Sequence, residues 1–308
     1  MPASPSDPVI LVAGEALFDL VLGDSAELDA HPGGGPFNAA RTVARLEQPT
    51  AYLGRISRDR FGGRLRALLA EDGVRLDTVV DTDDPTTLAL AELDAGGSAT
   101  YRFYAEGTSA FGLVAEAALA ALPPAIDMLH VGTSFSRDPV ASALEAVTAH
   151  VAGQALVMLD PNCRPTVIAD AGAYRARIGR VAANADVVKV SDDDLAFLDP
   201  GTEPIAAARR LLEGGAAAAL LTRGAEGAVV VTAGEAVAVP APRVEVVDTI
   251  GAGDAFGGGF LAFWRREDYG RERLGSLDAL VAATEFACLV AGRTCERPGA
   301  SPPHLDEL

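Results

Sequence analysis

Apolar runs of strand length alternate with amphipathic segments of helix length along most of this chain, and that alternation restricts the fold more than any other feature. Strands are predicted at Val9–Val12, Ala51–Leu53, Ile126–Val131, Ala155–Asp160, Asp186–Val190 and Ala218–Thr222. Helices are predicted at Pro36–Glu47, Arg60–Glu71, Val140–Val151, Tyr174–Asn184 and Ile205–Gly214. In Pro36–Glu47, Phe37, Ala40 and Ala44 fall on one face, with proline in the first turn. A βαβ rhythm of this kind needs a mostly parallel sheet covered on both faces. Two regions break it. Leu88–Leu93 and Ala99–Tyr104 flank Asp94-Ala95-Gly96-Gly97 and read as a β-hairpin, and Glu15–Leu22 carries the first strand past Gly14 as an alternating segment. With no internal repeat and no long linker, residues 1–308 are expected to form one domain.

The composition bounds the partners. Apolar residues make up 49% and aromatics only 6%, so the core is built from Ala, Val and Leu. The net charge of −18 argues against nucleic acid or an anionic membrane as partner. Its plain consequence is solubility, and any anionic ligand must be held by local donors. Lys189 is the only lysine, which looks like codon bias. Because it follows Val187-Val188, the chain has no Gly-Lys-Ser/Thr phosphate loop. The dinucleotide fingerprint is missing too, since Phe256 stands where its third glycine would fall, and this disfavours a Rossmann dehydrogenase. The cysteines (Cys163, Cys288, Cys295) lack metal-ligand spacing, and their odd number fits a reducing cytoplasm. Met1–Pro8 does not read as a leader, and no apolar run reaches membrane-spanning length.

Chemistry concentrates at Asp248-Thr249-Ile250-Gly251-Ala252-Gly253-Asp254-Ala255-Phe256-Gly257-Gly258-Gly259. A strand predicted at Val244–Val247 runs into small residues that open a helix at Ala255–Trp264. Glycines let backbone N–H groups crowd together, and a helix start leaves them unpaired, which attracts phosphate. A carboxylate there makes sense if it takes a proton from a hydroxyl attacking that phosphate. The alternative is a plain helix start with a first-turn acid.

Other strand ends carry polar clusters of the same double reading. Asp19 in Gly14-Glu15-Ala16-Leu17-Phe18-Asp19 is either a surface acid or an acceptor for ligand hydroxyls. Gly33, Gly34 and Asn38 lie in Pro32-Gly33-Gly34-Gly35-Pro36-Phe37-Asn38, either a flexible loop before a helix or a place where backbone and carboxamide meet a polyol. Asp160-Pro161-Asn162-Cys163-Arg164 offers Arg164 to a phosphate oxygen, or is a turn in which Asp160 and Asn162 cap backbone groups. Ser191 to Asp194 is either a helix cap with first-turn acids or a site for hydrated Mg²⁺. Thr222, Gly224 and Gly227 form a nucleotide turn or a hairpin connection.

The twelve-residue string resembles the C-terminal signature of the ribokinase-like sugar kinases, the PfkB carbohydrate kinases. The glycine cluster before Asn38 resembles their N-terminal signature. Leu53–Ile56 with Asp59–Gly62 resembles the following segment, with Ile56 where glycine is usual. The likeness runs in order from Gly14 to Ala300. It is greatest to fructokinases, through Gly14–Asp19, Tyr101-Arg102-Phe103-Tyr104, Asp160–Arg164 and Thr294–Ala300.

The resemblance implies a three-layer αβα sandwich with a mostly parallel central sheet. It also implies a small β-sheet lid, made from segments at about 15–35 and 86–108. The implied reaction is phosphoryl transfer from ATP to a sugar. Asp254 is the general base, and Gly251, Ala252 and Gly253 build an anion hole. Asp19, Gly33, Gly34, Asn38, Tyr101, Phe103 and Arg164 take the substrate. Ser191, Thr222, Gly224, Gly227 and Cys288 lie by the nucleotide. Asp194 is implied for Mg²⁺, and Asp248 and Ile250 for a monovalent cation such as K⁺. Lid strands pairing between subunits imply a homodimer. Three departures bear on this: Ser191 and Asp194 replace the family's Asn and Glu, and Cys288 replaces an Asn near adenine. A 2-keto-3-deoxygluconate kinase, a nucleoside kinase and a non-catalytic sugar sensor remain the rivals.

Overall fold

The computed structural model describes residues 7–22, 28–93 and 99–308, with the side chains of residues 22, 91–93 and 99–101 outside that description. In chain order the strands are β1 (Val9–Ala13), β2 (Leu17–Leu22), β3 (Leu28–Gly33), β4 (Thr50–Leu53), β5 (Arg55–Ser57), β6 (Val80–Thr82) and β7 (Leu88–Leu93). They continue as β8 (Ala99–Tyr104), β9 (Ile126–Gly132), β10 (Leu156–Asp160), β11 (Val187–Ser191), β12 (Ala218–Thr222), β13 (Ala228–Val231) and β14 (Ala236–Val239). The helices are α1 (Gly35–Arg45), α2 (Arg60–Glu71), α3 (Ala115–Ala120), α4 (Val140–Val151), α5 (Ala171–Ala182), α6 (Asp192–Leu198), α7 (Pro204–Leu212), α8 (Ala252–Arg266) and α9 (Leu277–Cys295).

The large sheet has the order β14-β13-β12-β11-β10-β9-β1-β4. Its strands from β4 to β12 pair in parallel, and the hairpin β13–β14 adds an antiparallel edge. Every residue of β1 is buried. Val9, Leu11 and Ala13 point into one core with α4 and α5, whereas Ile10 and Val12 point into another with α1, α8 and α9. A strand covered on both faces reads as a continuous apolar run, which is why the sequence pattern is so legible here. The result is three layers, helix on sheet on helix.

Residues after Gly14 leave the large sheet. Gly14 has φ +148°, and an added Cβ would run into Pro36 and the Gly132 carbonyl. The extended reading of Glu15–Leu22 therefore becomes a separate strand, β2, in a second sheet of order β3-β2-β7-β8. That sheet stands where the carboxyl ends of β1, β9 and β10 open. The predicted hairpin strands pair as expected, while its turn, residues 94–97, lies outside the described residues, as do residues 1–6 of the supposed non-leader.

Two readings of the sequence need correction. Val244–Val247 is not a strand: Val246 and Val247 are 60% and 61% exposed, and the segment joins no ladder. Its β-branched letters look like a strand, but Val247 and Asp248 instead bond the Cys295 carbonyl at the end of α9. Helix α8 starts at Ala252, three residues before the apolar pattern begins, because left-handed Gly251 (φ +77°) already turns the chain into it. The strands β13 and β14 and the long helix α9 complete the fold beyond the elements read from sequence. Among the described residues no helix is long and apolar enough to cross a membrane.

Candidate active site

The carboxyl ends of β1, β9, β10 and β11 face the start of α8, and there the buried polar groups gather. Asp254 is in the first turn of α8. Its Oδ2 accepts a hydrogen bond from Asn38 Nδ2 at 2.9 Å, from the facing turn of α1. The two residues are 216 positions apart, and only the fold joins them. Oδ1 is turned toward Gly35, where an added Cβ would lie 3.1 Å from it. Burial pushes the Asp254 carboxyl up to about 6, against the Asn38 hydrogen bond and the charge of Lys189, which favour the anion. A carboxylate held by one oxygen, open at the other and titrating near neutrality is a competent general base.

The N–H groups beside it are those of a helix start. Ala252 N–H makes a long turn bond to Thr249 O (3.3 Å), so it contributes less than the sequence suggests. Gly253 and Asp254 have no helical acceptor four residues back and carry the open donors. Beneath them lies Lys189, whose Nζ would be 3.1 Å from a Cβ at Gly253. The ammonium bonds Asp160 Oδ2 at 2.8 Å, and both side chains are about 95% buried. Burial alone would lower the Lys189 pKa, but Asp160 and Asp194 carry it above its ordinary value. The lone lysine is thus a fixed positive charge under the anion site.

On the other side is a cleft lined by Glu15, Leu17, Phe103, Thr133, Ser134 and Arg164. Asp19 is half-buried on β2, directly opposite His31 of β3. Burial pushes its carboxyl up to about 6, with His31 and Arg164 opposing. A Cβ at Gly33 would meet the Asp19 carboxylate, so any larger residue would displace that side chain. Gly34 has φ +105°, and a Cβ there would lie 2.6 Å from Glu15 O. Asn38 Oδ1 is buried without a protein partner, an acceptor facing the same space. Arg164 is exposed at the rim and acts electrostatically on both Asp19 and Asp254. The sequence therefore names most of this cleft. Tyr101 belongs to β8, but its side chain lies outside the described set.

Glu15 is a further buried acid of this cleft. Its carboxyl accepts from Gly35 N (3.3 Å) and from Ser134 Oγ, and burial pushes it up to about 7. It ties the glycine loop to the turn after β9. Nothing in the sequence separates this residue from an ordinary strand-end acid, since its partners are 20 and 119 positions away.

The expected nucleotide and metal residues divide differently. Asp194 accepts from Ser191 N and Ser191 Oγ through Oδ2, and from Cys163 N through Oδ1. Ser191 Oγ in turn accepts from Asp194 N, closing a capping box. Both carboxylate oxygens are engaged, so the helix-cap alternative is the one the geometry fits, and the pair is not a ready metal site. Among the described residues no cluster of three or more His, Cys, Asp or Glu could hold a metal. Asp248 likewise accepts from Ile250 N (3.0 Å) and Gly299 N (2.8 Å), fixing the turn before α8, while the Ile250 side chain is exposed. Cys288 is 5% exposed within the core, and burial pushes its thiol up to about 11. It packs with the core between the sheet and α1, α8 and α9. Thr222, Gly224 and Gly227 sit where β12 turns into antiparallel β13, so the hairpin alternative is realised. Gly227 (φ +95°) is needed there because Val239 O and Ala241 N crowd it.

Known proteins match this arrangement over nearly its whole length. The model of the pfkB family carbohydrate kinases matches residues 10–307. A fructokinase of Rhizobium leguminosarum bv. trifolii is 37% identical over 276 residues, which is 88% of this chain and 84% of that one. The crystal structure of fructokinase with bound ATP from Xylella fastidiosa superposes with a TM-score of 0.89 at 29% identity, covering 97% of this chain and 96% of that chain. The fructokinase of Vibrio cholerae O395, in its form with fructose, ADP and calcium ion bound, gives a TM-score of 0.83 at 26% identity, covering 96% and 95%.

Proposed function

The chain belongs to the pfkB family of carbohydrate kinases, and from that premise we propose that this sugar kinase is an ATP-dependent fructokinase. The observation that carries the reading is Asp254, fixed by Asn38 through one oxygen and open through the other beside unpaired N–H groups. Fructose as the sugar is supported by the fructokinase relatives and structures. The whole chain, residues 1–308, acts as one kinase domain in the cytoplasm, with the sheet β3-β2-β7-β8 as lid.

In this reading Asp19, the Gly33–Gly34 backbone and Asn38 Oδ1 orient the sugar, and Phe103 packs against it from the lid. Asp254 Oδ1 takes the proton of the hydroxyl. The N–H groups of Gly253 and Asp254 stabilise charge on the transferring group, with Lys189 and Arg164 adding fixed positive charge. Lid closure excludes water and limits ATP hydrolysis. Mg²⁺ neutralises phosphate charge when bound, but the oxygens of Asp194 are engaged in protein hydrogen bonds. Asp194 would therefore meet a bound Mg²⁺ only through water, which suits an ion that keeps much of its hydration. A monovalent cation at the Asp248–Ile250 turn would order the loop before α8. A homodimer through the lid is supported by Leu28 and Tyr104, 51% and 52% exposed on that sheet. Sedimentation at a single monomer mass would remove that part.

Coupled ADP release with Mg-ATP across fructose, ribose, 2-keto-3-deoxygluconate and adenosine, each with and without K⁺, tests the whole reading. Fructose should give the highest kcat/KM. A higher value for another acceptor moves the assignment to that kinase, and sugar binding without turnover on any leaves a sensor. Asp19→Ala should raise the fructose KM at least tenfold and leave the ATP KM within about threefold, the loss of charge-assisted hydrogen bonds to one substrate only. Equal changes in both constants would remove Asp19 from the sugar site.

A further inference from the structure

Three polar atoms converge on one face of Gly35. A Cβ placed there would lie 2.9 Å from Thr133 Oγ1, 3.1 Å from Asp254 Oδ1 and 3.3 Å from Asn162 Nδ2. Glycine keeps that space open. Asp254 is the base proposed above, and the other two residues have no part in that mechanism. Asn162 Nδ2 is 3.4 Å from Thr133 Oγ1, which it approaches as a donor. With its oxygen serving as acceptor, the Thr133 hydroxyl is free to donate its own proton into the same space.

The backbone adds an independent observation. Among the described residues, four other than glycine have a left-handed φ: Glu47, Thr133, Asn162 and Asp268. Glu47 and Asp268 follow the ends of α1 and α8, where such a φ ends helices routinely. Thr133 and Asn162 end no helix. They follow β9 and β10, at the carboxyl edge of the sheet where ligands collect. Thr133 is β-branched, with φ +60° and ψ −53°, close to the rare, strained γ-turn. Strain of this kind persists where surrounding structure holds it and clusters at functional sites.

We propose that Thr133 is a further catalytic residue, with Asn162 positioning it: the Thr133 hydroxyl donates a hydrogen bond to the sugar oxygen while Asp254 Oδ1 removes that oxygen's proton. This rests on the kinase reading and on Asp254 as base. The sugar O–H bond breaks, and its proton passes to Asp254. The oxygen's electron pair forms the new bond to the γ-phosphorus. The bond from that phosphorus to the β–γ bridging oxygen breaks, and ADP leaves with that pair. Thr133 keeps its proton throughout and stabilises negative charge on the attacking oxygen as its proton departs.

The test uses Thr133→Gly, Thr133→Ala, Thr133→Ser and Asn162→Gly in the full chain. Glycine adopts a left-handed φ without cost, so Thr133→Gly and Asn162→Gly should melt no lower than the parent protein. Loss of one aimed donor should lower kcat about 10²-fold for Thr133→Gly and Thr133→Ala. Both KM values should stay within about threefold, and Thr133→Ser should recover most of the rate. Asn162→Gly should lower kcat about tenfold, as expected of a residue acting through Thr133. A folded Thr133→Ala or Thr133→Gly whose kcat falls less than tenfold overturns the proposal, as does a Thr133→Ser no faster than Thr133→Ala. Asp254→Asn, run alongside, separates the two readings: if it is inactive while Thr133→Gly works normally, only Thr133 falls, and if it works normally, the base assignment falls with it.

Discussion

Asp254→Asn is expected to lower kcat by between about 10²- and 10⁴-fold, the range supplied by a positioned base, while fructose and ATP still bind. The variant should fold. Asn38 donates to Asp254 Oδ2, and its own Oδ1 has no protein partner. The amide oxygen of an asparagine at position 254 can accept from Asn38 Nδ2 in the same place, so Asn38 keeps its own Oδ1 for the sugar. The change also removes a charge whose burial opposes ionisation. The Asp254 carboxyl is raised from 3.8 to about 6, so the folded protein binds this proton more tightly than the unfolded chain. That disfavours folding increasingly as pH rises from 3.8 through 6, and the penalty is complete above. The variant should therefore match or exceed the parent in urea stability at pH 8. In the parent, kcat/KM for the sugar should fall at least tenfold per pH unit below about 6, as the base becomes protonated and Asp19, raised to about the same value, follows it. Isothermal titration with fructose and a pH series of initial rates decide the matter. A variant that loses sugar binding and unfolds in less urea would show Asp254 to be structural.

How far the sequence discloses such a site depends on whether the information is local. The twelve residues from Asp248 carry a turn, a helix start and an acid in one string, and their chemistry is legible at once. The buried strands are legible too, because a strand covered on both faces has no polar face to confuse the pattern. Ser191 and Asp194 show the limit from the other side. Cap and metal ligand use the same letters, and only the bonds to Ser191 N, Ser191 Oγ and Cys163 N favour the cap. Glu15, Thr133 and Lys189 fail for a different reason. Each takes its meaning from groups tens to hundreds of positions away, and no periodicity or spacing records those meetings. Val244–Val247 errs in the opposite direction, with strand-like letters that find no neighbouring strand to pair with.

Lys189 shows best how much such a hidden residue can hold, and Lys189→Met should cost about 3–5 kcal/mol of stability, the usual penalty for removing one partner of a buried ion pair. Methionine fills the space of the lysine stem, so little of the loss comes from a cavity. What remains is the Asp160 carboxylate, 3% exposed, with Oδ1 already unpartnered and Oδ2 deprived of its only ammonium. Asp160 is raised above its usual value by burial even with Lys189 present. Without Lys189 it must rise further, so the folded variant takes up a proton that the unfolded chain releases at ordinary carboxylate pH. A carboxyl raised on folding loses stability as pH increases. The deficit in Lys189→Met should therefore be larger at pH 8 than at pH 5. Removing the acid as well, in Lys189→Met with Asp160→Asn, should restore most of the stability, because the cost lies in the unpaired charge and not in the absence of the pair. Activity supplies the second readout. Lys189 holds the Asp254 pKa down, so its loss should move the acid limb of the kcat/KM profile to higher pH. It should also lower kcat, since the Gly253 N–H would lose the positive charge beneath it. Urea melts at the two pH values, beside rate profiles of the single and double variants, separate these effects. A single variant within about 1 kcal/mol of the parent at pH 8 would mean that water reaches Asp160 and that the pair is not the closed ion pair its geometry describes.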